Sequence, residues 1–98
     1  PPSSLRVEAP LPHCKGKKEE QQSLRLYGER LPPDTDLQVF LSSPVPTKLH
    51  DIKIEPASGK GQTEITLFFS CSPKADLHIL IGGMNILPLQ LLIRAHKP

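Results

Sequence analysis

Ninety-eight residues with a formal net charge of +2 allow one domain, 1–98, with a single core. They leave too little positive charge for a nucleic-acid-binding face, which needs clustered Lys and Arg on a strongly basic domain. Twelve prolines, roughly double ordinary usage, exclude a mainly helical chain, because proline lacks an amide donor and clashes inside a helix. A hydrophobic fraction of 37% without Trp describes a core of Leu, Ile and Val.

In chain order, residues 1–36 carry the weaker signals. Leu5-Arg6-Val7-Glu8 alternates as a short strand does, and residues 10–22 are polar and punctuated by Pro and Gly, as in a loop. Within that loop Lys15-Gly16-Lys17-Lys18 runs into Glu19-Glu20 and neutralises itself. Ser23-Leu24-Arg25-Leu26-Tyr27 alternates again, closed by Gly28 and Pro32-Pro33-Asp34.

From Leu37 onward the strand pattern is continuous. Leu37–Ser42 sets Leu37, Val39 and Leu41 on one face and Gln38, Phe40 and Ser42 on the other. Asp51–Glu55 points Ile52 and Ile54 inward, which is the pattern of a strand with one buried and one wet face. Thr63–Ser70 becomes continuously apolar, as a central strand does. Leu77–Ile81 alternates, and Ile86–Arg94 reads as a strand in which Pro88 marks an edge or a bulge, or as the end of a short helix. Pro44/Pro46, Pro56-Ala57-Ser58-Gly59, Ser72-Pro73 and Gly82-Gly83 separate these runs. Evenly spaced strands of this kind predict an all-β, immunoglobulin-like β-sandwich of about seven strands. Its expected core is Val39, Leu41, Ile52, Ile54, Ile65, Leu67, Phe69, Leu77, Ile79, Ile81, Leu91 and Ile93.

Catalytic and metal-binding patterns are missing. Ser58-Gly59-Lys60-Gly61-Gln62-Thr63 lacks the spacing of a phosphate-binding loop and leads into a strand rather than a helix. His13, Cys14, His50, Cys71, His78 and His96 share no zinc-ligand spacing, and no serine sits in a nucleophile elbow. The chain therefore reads as a non-enzyme with no cofactor and no metal. Cys14 and Cys71 allow one bridge in a secreted domain or two free thiols in a reducing compartment; the apolar run beside Cys71 favours free thiols. No apolar stretch approaches the about 20 residues of a membrane-spanning helix, so direct membrane insertion is not expected. The chain opens on Pro1 rather than Met and reads as a piece of a larger protein.

Ser42-Ser43-Pro44-Val45-Pro46-Thr47-Lys48 connects two strands and delivers Lys48, His50, Lys53 and Ile54 to the second. An edge strand offering backbone amides, cations and an apolar anchor suits an extended peptide.

The stretch Val39–Lys48, followed by Ile52-Lys53-Ile54-Glu55-Pro56-Ala57-Ser58-Gly59, resembles the ear domains of γ-adaptin and GGA clathrin adaptors. Glu64-Ile65-Thr66-Leu67-Phe68-Phe69, Ser72-Pro73-Lys74 and Leu77–Ile81 follow in the same order, so the likeness spans residues 37–82. It implies an appendage of a vesicle-trafficking subunit, cytoplasmic and peripheral to Golgi or endosomal membranes. Such an appendage would recruit accessory proteins through short peptide motifs. Carried onto this chain, Lys48 answers the family's corner lysine and Ile54 its apolar pocket residue; together with the residues of the connection read above, the expected peptide site is Pro44, Val45, Lys48, His50, Lys53, Ile54 and His78. His78 and Leu80 stand where the family places basic residues. Ile54-Glu55-Pro56-Ala57-Ser58-Gly59, Thr63-Glu64-Ile65-Thr66-Leu67 and Ile81-Gly82-Gly83 are also similar to the Ig-like plexin/transcription-factor (IPT/TIG) domain. That likeness implies an assembly domain docking onto another subunit of a parent complex through an apolar face such as Leu87–Ile93.

Overall fold

The computed structural model describes residues 2–14, 21–29, 31–32, 34–57 and 61–95. The charged loop at 15–20, the Ser58-Gly59-Lys60 part of the loop-like motif, and His96 lie outside the described residues. The remainder is all-β. The strands are β1 (Leu5–Val7), β2 (Gln21–Glu29), β3 (Gln38–Ser42), β4 (Lys48–Pro56), β5 (Gln62–Ser70), β6 (Leu77–Gly83) and β7 (Ile86–Ile93).

They form two antiparallel sheets, one of four strands in the order β1-β2-β5-β4 and one of three in the order β3-β6-β7. This is the strand order of a seven-strand immunoglobulin-type sandwich. The central strand expected at Thr63–Ser70 is β5, paired along its length with both β2 and β4. Ile86–Ile93 is a strand, and the β6–β7 register shifts between Ile81 and Gly83, leaving Pro88 out of the paired positions. Proline has no donor for a ladder, so it sits where the ladder is broken.

Alternation converts directly into packing. Leu24 and Leu26 of β2, Ile65, Leu67 and Phe69 of β5, Leu77, Ile79 and Ile81 of β6, and Ile93 of β7 all face inward and are buried. Leu5, Leu31, Ile86, Cys14 and Cys71 complete the core. These five, with Leu24 and Leu26, come from segments with short or irregular patterns. Val39, Leu41, Ile52, Ile54 and Leu91 pack on this core only half-buried, because β3, β4 and β7 are outer strands of their sheets. The turn between β6 and β7 falls at Met84-Asn85, where Asn85 takes a φ of 61°, two residues beyond the expected Gly82-Gly83. Gly83 ends β6, and that position needs glycine for a steric reason: a Cβ there would lie 2.7 Å from the backbone oxygen of Asp36.

The amino-terminal segment works as a strap. Leu5–Val7 pairs with β2, while Ser3 and Cys14 bridge in parallel to Ile86 and Ala95 on the β7 side. The amides of Ser3 and Cys14 donate to Asn85 O and Arg94 O, and Leu87 N donates to Ser3 O, each at 2.8 Å. One long side of the sandwich is thereby closed where β1 meets β7. The opposite side is bordered by the other two edge strands, β3 and β4.

Cys14 and Cys71 are joined by a disulfide, with Cα atoms 5.3 Å apart, correcting the expectation of free thiols. The strap along β7 carries Cys14 to the residue that follows β5, a position no local spacing discloses. Both cysteines are buried.

Candidate strand-edge interaction site

Pro44 and Val45 lie in the crossover from β3 to β4, which passes from one sheet to the other. The Val45 amide donates to Ser43 Oγ at 3.3 Å and fixes the corner. Pro44 is exposed and Val45 half-buried. Lys48 opens β4 on its exposed face, and Ile54 points inward, half-buried. The crossover and β4 therefore bring Pro44, Val45, Lys48, His50, Lys53 and Ile54 to one side of the molecule. His78 stands apart, on the outer face of the three-stranded sheet opposite Ser42.

Several of the β4 groups are already engaged. His50 sits at a β-bulge between Leu49 and Asp51, and its Nε2 pairs with Ser70 Oγ at 2.5 Å. Lys53 Nζ lies 5.4 Å from the centre of the Phe68 ring on the outer face of the four-stranded sheet, a cation–π distance. The Ile52 amide donates to Asp51 Oδ1 at 2.8 Å, so it points away from β5. Amides of alternate residues face the same side of a strand, which makes Ile54 and Pro56 the next positions on that edge. Pro56 has no N–H, so beyond the bulge Ile54 alone offers an amide without a side-chain or proline block.

The other edges differ in their protection. A bulge, lysines, proline and short length are the usual devices that stop an edge from pairing with another chain. β1 is three residues long, and β7 carries Pro88 and is capped by Ser3 and Cys14. β4 has the bulge, Lys48, Lys53 and Pro56. β3 (Gln-Val-Phe-Leu-Ser) has none of them: it bears no charge and no proline, and its pairing with β6 runs without a register shift.

β3 also borders an exposed apolar pair on the outer face of its sheet. Phe40 is 59% exposed and Leu80, its register partner on β6, 38%. Around them Gln38, Ser42, His78, Gln90 and Leu92 complete an outer face without Asp, Glu, Lys or Arg. Phe40 was the legible signal in the sequence, an aromatic ring on the otherwise polar side of an alternating strand.

The outer face of the four-stranded sheet is the reverse, a ladder of charge. Tyr27 Oη donates to Glu64 Oε1 at 3.2 Å, and Arg25 Nε lies 3.9 Å from the same oxygen. Arg6 stacks over the Tyr27 ring at 5.4 Å. Burial first, then the nearby Glu8 carboxylate, and then the Glu64 contact raise the Tyr27 phenol above its ordinary value of 10.0.

At one end of the sandwich an open cleft of about 900 Å³ lies between Leu31, Pro32, Asp36 and the Met84-Asn85 turn. Among the described residues Asp36 is its single titratable lining group, with no histidine or cysteine beside it. Among the described residues no three His, Cys, Asp or Glu side chains converge as metal ligands, and no helix is long and apolar enough to cross a membrane.

No protein-family model matches this chain, and no curated protein is recognisably similar to it.

Proposed function

We propose that this chain is a non-enzymatic protein-interaction domain that takes an extended segment of a partner protein onto the β3 edge. The observation that carries this reading is the contrast among the four edges: β1, β4 and β7 are each shortened, capped or blocked, while among the described residues β3 carries no such protection. Backbone pairing would supply affinity, and the exposed Phe40–Leu80 face with half-buried Val39 and Leu41 would supply side-chain anchors. Pro44, Val45 and Lys48 then lie at the carboxyl end of the docking strand. Lys48 and Lys53 form a rim whose charge governs on-rate and salt dependence more than affinity. A five-residue strand makes a small contact, and a weak, transient complex follows.

A trafficking-adaptor appendage at Golgi or endosomal membranes is one setting for such a domain, supported by the ear-like order of motifs over residues 37–82. The buried Cys14–Cys71 bond favours a different one. Cytosolic thiols are kept reduced, whereas secreted and lumenal proteins retain their disulfides. The bond therefore supports a domain that works in an oxidising compartment.

The test is a heteronuclear NMR titration with a short extended peptide carrying acidic and aromatic residues. Amides of Gln38–Ser42 should shift first and furthest. Shifts confined to β4, or none in either strand, would refute the β3 site. An assembly role through the apolar face remains a second reading, favoured by the exposure of Leu87 and the charge-free surround of Phe40 and Leu80. In that case Leu92→Asp would abolish assembly while leaving peptide shifts intact.

A further inference from the structure

We infer that the strand β3 receives is β3 of a second copy of this chain, in an antiparallel pair centred on Phe40. The inference rests on the β3-edge reading above and names its partner.

The argument is the symmetry of the strand itself. Gln38-Val39-Phe40-Leu41-Ser42 is polar, apolar, aromatic, apolar, polar. A two-fold axis through Phe40 sets Phe40 beside Phe40 of the second copy, Val39 opposite Leu41, and Gln38 opposite Ser42. Every apolar residue meets an apolar one and every polar residue a polar one. In a closed two-fold interface residue i meets j and j meets i, so the surface must be complementary to itself. Charge is the usual obstacle, because like charges directly opposite across a ladder repel. β3 carries no charge, and one residue pair beyond each end the same axis places Leu37 opposite Ser43, then Asp36 opposite Pro44. No acid or base meets its own copy.

The half-burial of Val39 and Leu41 and the 59% exposure of Phe40 fit the same arrangement. The inward-facing pair would be covered by its counterparts across the axis. The two aromatic rings would lie side by side on the outer face, as cross-strand aromatic pairs do. The two three-stranded sheets would join into one of six strands. A foreign peptide selected for its charge would find no complementary charge on this strand.

Sedimentation velocity of the full chain over a wide concentration range, together with the variants Phe40→Lys, Phe40→Cys and Leu80→Cys, tests the pairing. The wild type should pass reversibly from monomer to dimer. Phe40→Lys, at an exposed position and with an unchanged circular dichroism spectrum, should weaken dimerisation at least tenfold. Under mild oxidation Phe40→Cys should cross-link into a covalent dimer far faster than Leu80→Cys, since only position 40 meets itself across the axis. Equal cross-linking of both variants would mean that the sheets pack face to face, and would overturn the edge pairing. A dimer indifferent to Phe40→Lys would overturn it as well. A chain that stays monomeric at every concentration while an added peptide still shifts the β3 amides would sink self-pairing and leave the docking edge intact. A monomer whose β3 amides respond to nothing would remove both.

Discussion

Cys14 and Cys71 stand 57 residues apart in the sequence and share a disulfide in the core, fastening the amino-terminal strap to the end of the central strand β5. Closing a loop of this length restricts the unfolded chain, and the entropic model assigns the restriction roughly 4 kcal/mol. That is a substantial share of a small domain's stability of about 5–15 kcal/mol. Chemical denaturation of the wild type and of the Cys14→Ser/Cys71→Ser double variant should differ by about 2–5 kcal/mol. Equal midpoints with and without reductant would show that the strap holds by its backbone hydrogen bonds alone.

Gly83 and Gly28 should respond differently to a methyl group. At Gly83 the added carbon meets a backbone oxygen, Asp36 O, at 2.7 Å, and the segment leading into β3 would have to move. A loss of about 1–3 kcal/mol is expected for Gly83→Ala, in the range of other overpacking changes. At Gly28 the nearest atoms are Leu31 Cδ1 at 2.7 Å and Leu5 Cδ2 at 3.0 Å, side-chain ends that rotate away. Thermal unfolding should rank Gly28→Ala as the milder change, and the reverse order would contradict the packing described.

The chain has a single tyrosine, so an alkaline absorbance titration reports Tyr27 alone. Its phenol should ionise above 10.0 because burial, then Glu8, then Glu64 disfavour the phenolate. Folding therefore favours the protonated form. The stability this provides is complete below the unfolded-state value near 10 and is lost as pH rises through the higher folded-state value. Glu64→Gln should move the titration back toward 10 without restoring it fully, since the effects of burial and of Glu8 persist. An unchanged titration in that variant would dismiss the Glu64 contact.

Glu55 on β4 stands directly opposite Glu64 on β5, a like-charge pair across a ladder. Glu55→Lys should stabilise the fold by about 0.2–1 kcal/mol, measured by urea denaturation at low salt. The gain should shrink as salt screens the surface charges. No gain at low ionic strength would mean that Arg25, 3.9 Å from Glu64, already neutralises the site.

What the sequence determined was the local alternation. Every inward residue expected in β5 and β6 is buried, because a strand's side chains alternate with a period of two whatever its neighbours are. The strands of the first third were legible only in outline. Their buried residues, Leu5, Leu24, Leu26 and Leu31, sit among charged neighbours that dilute the signal. The tertiary structure alone decided which strands lie at edges, and so which apolar residues stay half-buried. It also decided that the side left unstrapped is the one bordered by β3 and β4. Lys48 and Lys53 make β4 conspicuous along the chain, yet the bulge at His50 that interrupts its edge arises only in the pairing with β5. Cys14 found Cys71 for the same reason: contacts between distant segments depend on how the strands stack, and no spacing along the chain encodes that.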